Sequence, residues 1–487
     1  MKCTVTGLSV ETEGLTKEQL EDAKIFSGKN AGICYMGESY FDSNVTDPAK
    51  ALPRFISTAN NAHHSISDHV QIEVLLENCS KMLAIVLNSL QNYATSEKSG
   101  RYTVMSGNSE RENELYNKWL SIFKSRILEI KPDVDDEMLM KLCTKKGHGD
   151  IIVSNGRLAN DNMADMDSEH QNILKECKSN KTLPSTKLAQ ENARYVLSVF
   201  TRSTTMGYST SLRQWNYIYD WCKKYMSAYK DKDGVLTKVE GSCEASYFEK
   251  ELYNDFKELS DYIYSTMYID ELRDTKDRCF DFLTQYSGVG SSHPMTRYDL
   301  SVFEPNPYSD KYDYAEDAHS EDDKIGFMYN ISYTASFAQI AQAERHRTLK
   351  YYMMCNFGIP HLDFFVPPMI RGTDYEQEWL ADLTSVADIL PQATKVVIIE
   401  TGDITNFVLK CKERLCGRAQ WEIMHQTTLT AKRFIKALQA DELESFAKPY
   451  AEEFCSSVTG VTTKCQLCHG CKENCMFGAK EALTRLF

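Results

Sequence analysis

The sequence predicts an α+β fold made of two homologous units in tandem, because one order of strand and helix patterns occurs twice. In the first half, residues 70–74 alternate apolar and polar side chains as a half-buried strand does, and residues 82–90 carry apolar side chains at helical spacing. In the second half, a strand pattern over residues 327–333 precedes a helical pattern over residues 336–346. A repeat this long exceeds the period of solenoid proteins, so it indicates an internal duplication that forms a pseudo-dimer.

A second set of matching segments follows in each half, with the order helix, strand, helix. These segments are residues 187–197, 202–211 and 212–226 in the first half, and residues 387–390, 395–401 and 404–415 in the second. The stretch 287–294 is rich in turn residues, so we predict one unit at residues 1–290 and another at residues 291–487. Residues 130–185 are polar and irregular, and we interpret them as an excursion on the surface.

The composition is that of an ordinary globular protein, since 42% of the 487 residues are hydrophobic and 25% are charged. The net charge of −14 argues against a surface that coats nucleic acid, although a few clustered arginines can still bind a small anion. Residues 1–5 lack the apolar core of a signal peptide, and the sequence has no run of 18 apolar residues. We therefore expect a cytoplasmic protein with reduced thiols and no membrane or nucleic-acid partner.

Four of the sixteen cysteines are clustered near the end of the chain, whereas most of the others are scattered. The spacing Cys465-x2-Cys468-x2-Cys471-x3-Cys475 brings together enough thiolates for a tetrahedral zinc site. The same spacing is also typical of a ferredoxin-like run that holds an iron–sulfur cluster. Zinc, an iron–sulfur cluster and metal-free thiols are therefore three alternatives for residues 465–475.

Two short polar motifs could bind a nucleotide. Arg345-His346-Arg347 places two planar guanidinium groups at a predicted helix end, where they suit bidentate phosphate contacts or simply balance the helix dipole. The segment Glu97-Lys98-Ser99-Gly100-Arg101 alternates an acceptor, a hydroxyl and a cation, which suits a ribose and a phosphate or a polar surface loop. Arg194 and Arg414 lie on predicted helices, where an arginine is more often an ordinary surface ion than a ligand contact.

Taken together, these pieces resemble the flavin-dependent thymidylate synthases, also called the ThyX or thymidylate synthase complementing family. The resemblance rests on Arg345-His346-Arg347, on Ser99-Gly100-Arg101-Tyr102, and on the run Arg418-Ala419-Gln420-Trp421-Glu422-Ile423. It covers roughly residues 25–285 as one degenerate copy and residues 295–475 as a second.

The resemblance implies FAD as the cofactor, with NADPH and methylenetetrahydrofolate as co-substrates in the methylation of dUMP to dTMP. It implies that Arg414 favours ionisation of the uracil ring. It implies nucleotide contacts from Gln342, Arg345, Glu97, Ser99, Gly100, Arg101 and Arg194. It implies flavin contacts from His63, Ser65, Glu97, Arg345, His346 and Arg347, and at Asp403 and Thr405, where asparagine and arginine are usual in the family.

The departures from the family pattern are complementary between the halves. The first half has Ser89-Leu90-Gln91 in place of the arginine–histidine–arginine triplet, and Trp221 in place of the ring-binding arginine. The second half has residues 351–355 in place of the nucleotide loop, and Ala387 in place of the phosphate-binding arginine. Each half thus keeps what one subunit of the family contributes, and a homodimer of this chain would imitate the family's tetramer.

Two other functions are compatible with the same residues. One is a related flavin-dependent hydroxymethylase or methylase of pyrimidine nucleotides, and the other is a non-catalytic nucleotide-binding protein. Absorbance from a bound flavin would separate the second from the enzymes, and a product assay with dUMP and the folate would separate the enzymes from each other.

Overall fold

A computed structural model describes most of the chain. The described residues are 14–33, 43–90, 92–100, 103–145, 147, 183–274, 328–354, 362–415 and 419–440, with short pieces at 152–154, 157–159, 168, 172, 175–177 and 179–180. The predicted boundary near residue 290 and the cysteines at residues 465–475 lie outside these ranges. Both stay predictions.

The described residues form an α+β structure, as the sequence predicts. The helices are α1 (Lys17–Gly32), α2 (Ser43–Thr46), α3 (Pro48–Asn60), α4 (Lys81–Ser89), α5 (Glu110–Ile130), α6 (Asp136–Lys145), α7 (Pro184–Ala193), α8 (Leu212–Ser227), α9 (Tyr247–Thr266), α10 (Phe337–Ala343), α11 (Asp374–Thr384), α12 (Ile404–Arg414) and α13 (Trp421–Ala440). The strands are β1 (Gln71–Cys79), β2 (Tyr93–Glu97), β3 (Ile152–Ser154), β4 (Arg157–Ala159), β5 (Thr204–Ser211), β6 (Tyr229–Lys232), β7 (Val235–Lys238), β8 (Met328–Ser336), β9 (Lys350–Met354) and β10 (Lys395–Asp403).

The described residues belong to two compact units. The first unit is drawn from Met1–Glu97 and Thr204–Thr284, and the second from Lys98–Ser203 and Gln285–Phe487. Helices α5 and α7, which precede residue 204 in the chain, therefore belong to the same compact unit as the C-terminal sheet. Because Arg194 directly follows α7, it also belongs to the second unit.

The first unit contains the antiparallel sheet β1-β5-β2. Helix α4 begins directly after β1, where the Ser80 side chain caps it by accepting from the Leu83 amide at 2.9 Å. The same serine hydroxyl donates to the Asp255 carboxylate on α9 at 2.5 Å. Tyr208 and Trp215 are fully buried behind the sheet and make an edge-to-face contact.

The second unit contains the antiparallel sheet β8-β10-β9. Helix α10 follows β8, and Ser336 caps it by accepting from the Gln339 amide at 3.1 Å. An aromatic cluster joins α5 to α11, where Trp119 and Trp379 make an edge-to-face contact with ring centroids 4.7 Å apart. Both indoles are completely buried, so α5 is part of the core of this unit.

The two main sheets have the same topology, since the strand that is third in sequence lies between the first and the second in both. Their registers also agree. Gln71 of β1 pairs with Ser211, the residue that caps α8, and Met328 of β8 pairs with Asp403, the residue that caps α12. A bulge in β1 between Leu76 and Cys79 adds one residue before α4, and β8 pairs without such a shift. When α8 and α12 are aligned at their N-cap residues, Ser211 and Asp403, the residue of α8 that corresponds to Arg414 is Cys222. The sequence predicts Trp221 at this place, one position earlier.

A short ladder inside the second unit pairs two segments that hold matching positions in the two halves. Ser198 forms an isolated antiparallel bridge with Pro391. The Val199 amide donates to the Leu390 carbonyl at 2.9 Å, and the Gln392 amide donates to the Leu197 carbonyl at 2.8 Å. Arg194 precedes this bridge by four residues on one side, and Ala387 precedes it by four on the other. Arg194 and Ala387 therefore lie at equal distances along the chain from the bridge.

Two local predictions are wrong. Residues 387–390, predicted to be helical, form only a single 3-10 turn, Ala387–Ile389, because Leu390 has a left-handed backbone (φ 52°) and Pro391 follows it. Residues 130–185 are not irregular throughout, since they contain α6, whose Leu139 and Cys143 are buried. Among the described residues, no helix is long and apolar enough to cross a membrane.

Candidate functional site

Helix α10 positions the first two groups of the predicted site in the second unit. Gln342 lies in its last turn and is half-buried, and the Arg345-His346-Arg347 triplet follows immediately in a turn. Arg345 and Arg347 are exposed, whereas His346 is 7% exposed. The triplet thus presents two guanidinium groups to solvent on either side of a buried imidazole.

The His346 imidazole is held in its neutral form. Burial lowers its pKa to about 2, and the positive charges of Arg414 and Lys410 act in the same direction. The imidazole Nε2 lies 3.8 Å from a carboxylate oxygen of Glu413, which is 65% exposed. A neutral imidazole does not form an ion pair at that distance, so His346 can act here as a hydrogen-bonding group and not as a cation.

Arg194 reaches the same region from the first half of the sequence. It lies in the 3-10 turn that follows α7 and is 6% exposed. Its Nη2 donates to Gln420 Oε1 at 2.5 Å. Gly100 lies over this side chain, because a Cβ at Gly100 would be only 3.3 Å from Arg194 Cδ. Any larger residue at position 100 would press on the arginine.

Gln420 joins the groups from the two halves. Its Oε1 also accepts a hydrogen bond from Gln342 Nε2, and its Nε2 donates to the Tyr195 hydroxyl. That hydroxyl donates to Glu422 Oε2 at 2.6 Å. Because Glu422 also accepts from the Ser336 amide at 2.8 Å, the network extends to the N-terminus of α10.

The Glu422 carboxyl is the buried end of this network. Its pKa is raised by burial, although the hydrogen bonds from Ser336 and Tyr195 and the charge of Arg194 oppose that shift. A carboxylate that accepts several hydrogen bonds at the start of α10 fixes the position of this helix. The same helix carries Gln342 at its other end.

Arg414 completes the group from the last turn of α12. Its Nη2 donates to the Gln342 main-chain carbonyl at 3.3 Å, and its side chain is 16% exposed. Arg194, Gln342 and Arg414 are therefore connected through Gln420 and the Gln342 backbone. Three of the residues predicted to bind one nucleotide lie together in one unit, although Arg194 is more than 140 positions from Gln342 in the sequence.

A buried ion pair lies beside this group. Lys410, one turn before Arg414 on α12, donates to Glu400 Oε2 at 2.6 Å, and both side chains are completely inaccessible. The Tyr333 hydroxyl donates to the same carboxylate oxygen at 3.0 Å, and the Lys410 ammonium lies 5.4 Å from the ring centre of Tyr351. In the first half, the positions that match Glu400 and Lys410 by strand register and helix cap are occupied by Tyr208 and Ile218.

Three further candidates lie in the first unit. Glu97, at the end of β2, is bound by the Lys81 ammonium at the start of α4. His63 and Ser65 are exposed, whereas the neighbouring His64 is buried against the Tyr217 hydroxyl at 2.8 Å. The two predicted flavin contacts at positions 63 and 65 are therefore open to a ligand.

Part of the chain matches a known protein family. Residues 22–224 match the model of a family described as thymidylate synthase complementing protein. This part of the chain is therefore similar to that family. No curated protein and no solved structure matches the chain. The match supports a function of the thymidylate synthase type in general terms.

The matched range contains the nucleotide loop and Arg194 but ends before α10 and α12. The site residues that follow position 224 are therefore assigned by the sequence motifs and by their contacts with Arg194. Arg101, Arg418 and the four cysteines from Cys465 lie outside the described residues, as does the side chain of Thr405. Asp403 caps α12 by accepting from the Asn406 amide at 2.9 Å. Among the described residues, no group of three or more histidine, cysteine or acidic side chains could hold a metal ion.

Sequence reasoning assigned no role to three residues that the structure places at the site. Gln420 and Glu422 belong to a motif that resembles the family, but the motif does not show which residues they contact. Their hydrogen bonds in the structure show this. Tyr195 follows Arg194 directly, in a helical pattern that indicates a buried aromatic and nothing more. Their common signal is a polar side chain inside an otherwise apolar segment.

Proposed function

We propose that this chain is a flavin-dependent thymidylate synthase that converts dUMP to dTMP with methylenetetrahydrofolate, NADPH and FAD. The observation that carries the proposal is the meeting of Arg194, Gln342 and Arg414 in the second unit. The match of residues 22–224 to the thymidylate synthase complementing family supports the same type of reaction.

The site residues have distinct proposed roles. Arg194 binds the nucleotide phosphate, because a guanidinium is a permanent cation whose planar fork suits bidentate contacts with a phosphate. Gln342 offers an amide that can both donate and accept, which suits the edge of a pyrimidine ring. Arg414 stabilises negative charge that develops on the ring when carbon 6 accepts a hydride and carbon 5 becomes nucleophilic.

The residues of the second unit fit the proposed flavin. Two exposed arginines, Arg345 and Arg347, suit the diphosphate of a dinucleotide. When bound, the reduced flavin supplies the hydride, so the protein needs no nucleophilic side chain. The protein's part is to bind and orient, and the neutral His346 adds no further charge between the two arginines.

We further propose that one chain replaces two subunits of the family, and that two chains form a homodimer. The shared strand order, the matching registers and the ladder at Ser198 and Pro391 support a duplication. In the second unit, the first half supplies Arg194 and Gly100, and the second half supplies Gln342 and Arg414. Light scattering should give twice the 55.7 kDa mass of the chain, and a monomer would contradict this proposal.

The decisive experiment is a product assay. Purified chain with FAD, dUMP, methylenetetrahydrofolate and NADPH should form dTMP, identified by chromatography against dTMP and the hydroxymethyl nucleotide. Formation of the hydroxymethyl nucleotide alone would replace the proposal by the related hydroxymethylase. A chain that binds no flavin and forms no product would contradict enzymatic function altogether.

A further inference from the structure

We propose that Gln420 is a positioning residue of the nucleotide site, which holds Arg194 and Gln342 in their binding orientation. This inference rests on the proposed function, because the two groups it positions are assigned there to the nucleotide. It adds a residue to that site whose effect passes through its neighbours.

The first observation is that one oxygen atom serves both groups. Gln420 is 2% exposed, and its Oε1 accepts from Arg194 Nη2 and from Gln342 Nε2. An amide oxygen has two lone pairs, so both donors can be satisfied at once. Since Arg194 comes from the first half and Gln342 from the second, this single atom fixes one half of the site with respect to the other.

The second observation is that the orientation of the amide is itself fixed. The Tyr195 hydroxyl gives its proton to Glu422 at 2.6 Å, so its oxygen is left to accept from Gln420 Nε2. Rotation of the amide by 180° would place its oxygen against the Tyr195 oxygen and its nitrogen against the Arg194 guanidinium. Both contacts would then be lost, so the buried network selects one orientation.

The consequence is preorganisation of the nucleotide site. A long side chain such as arginine loses rotamer freedom when a ligand immobilises it, and this loss weakens binding. Gln420 holds Arg194 and Gln342 in place before the nucleotide arrives, so the cost is met during folding. Without the amide, Arg194 keeps its charge but loses its fixed direction.

The test measures dUMP affinity of the flavin-loaded chain by calorimetry. Gln420→Ala should weaken dUMP binding about tenfold to hundredfold, the range of a lost charged hydrogen bond. The isosteric Gln420→Glu should also weaken it, because the new carboxylate pairs with Arg194 and competes with the nucleotide phosphate. This second variant keeps the side-chain volume and so remains informative if the alanine variant folds poorly.

A double-mutant cycle separates positioning from a general structural role. In an Arg194→Ala background, Gln420→Ala should weaken dUMP binding clearly less than it does in the unsubstituted chain, because one of the two groups it positions is already absent. The matched control is Gln392→Ala, a buried amide of the same unit that donates to the Ser198 carbonyl at 3.5 Å, and its effect should be the same in both backgrounds.

The inference is overturned if both Gln420 variants bind dUMP within about twofold of the unsubstituted chain, or if the effects of the Arg194 and Gln420 substitutions simply multiply. Failure of the unsubstituted chain to bind dUMP would instead overturn the proposed function. The two failures are therefore distinguishable in one set of titrations.

Discussion

At the scale of single residues, Arg414 has the most specific proposed chemistry. Its side chain is 16% exposed and its guanidinium donates to the Gln342 carbonyl, so it can face a pyrimidine ring held by Gln342. An interaction that strengthens as the ring becomes anionic lowers the barrier without changing ground-state affinity by much. We expect Arg414→Gln to lower kcat by about 100-fold or more, the usual effect of losing one stabilising donor, with a much smaller change in dUMP affinity.

The measurement for Arg414 combines single-turnover kinetics with calorimetry. Arg414→Lys should recover part of kcat, because it restores a charge without the planar fork. The control is Arg111→Gln, an exposed arginine on α5 that contacts Asp382 and Glu114, for which neither quantity should change. Equal losses in kcat and in affinity would contradict the assigned role of Arg414.

His346 gives a prediction about stability and pH. Its pKa is about 2 in the folded chain and about 6.5 when unfolded, so below pH 6.5 the unfolded state binds a proton that the folded state does not. The stabilising contribution of the neutral imidazole is complete above pH 6.5 and is lost as the pH falls. Between pH 6 and pH 5, the unfolding free energy of His346→Gln should therefore fall by about 1 kcal/mol less than that of the unsubstituted chain.

Chemical denaturation at several pH values would measure this slope. The control is His63→Gln, which removes an exposed imidazole and should leave the slope unchanged. An unchanged slope in His346→Gln would show that the imidazole is protonated in the folded chain.

At the scale of elements, the buried pair Glu400 and Lys410 ties α12 to β10. Removal of one partner leaves a buried charge without compensation, which typically costs about 3–5 kcal/mol. The matching Tyr208 and Ile218 of the first half show that the same fold accepts a pair without charges at these positions. We therefore expect Lys410→Met alone to destabilise by that amount, and Glu400→Gln with Lys410→Met to recover most of the loss.

Denaturation midpoints of the single and double variants would test this. Lys395→Met is the control, because its partner Asp363 is 71% exposed and such pairs contribute at most about 1 kcal/mol. If the double variant loses as much unfolding free energy as the two single variants lose together, Glu400 and Lys410 do not stabilise each other.

The elements also show which parts of the fold the sequence could predict. Strands β1 and β8, and helices α4 and α12, follow periodic patterns and were expected. Helix α5 was missed, although Ser109 and Glu112 form a capping box and apolar residues recur at helical spacing to Ile127. The turn at residues 387–390 was mistaken for a helix, because its pattern is apolar and only Pro391 indicates the break.

At the scale of the whole molecule, the sequence predicted which residues belong together but not how the chain brings them together. Arg194, Gln342 and Arg414 were grouped by motif, and the structure places them in one unit. The exchange of residues 98–203 into the unit of the C-terminal sheet has no local signal, because it depends on long-range packing of α5 against α11. The role of Gln420 was equally hidden, since a hydrogen bond between distant segments leaves no periodicity.

The last prediction concerns the number of sites in each chain. The first half has Val86 and Ser89 at the positions that match Gln342 and Arg345 when α4 and α10 are aligned at their capping serines. The second half has Ala387 at the position that matches Arg194. A second nucleotide site would therefore lack the phosphate-binding arginine, the pyrimidine-binding glutamine and the first arginine of the triplet. Without these two charged contacts and one neutral contact, the affinity of a second site for dUMP should be lower by several powers of ten.

Calorimetric titration of the flavin-loaded chain with dUMP should therefore saturate at one nucleotide per 487 residues. Arg194→Ala should abolish most of that single binding event, and Arg213→Ala, which removes an arginine paired with Asp68 in the first unit, should leave its stoichiometry at one. Two equal binding events per chain would mean that both halves kept a complete site, and the complementary loss of residues between them would then have no functional meaning.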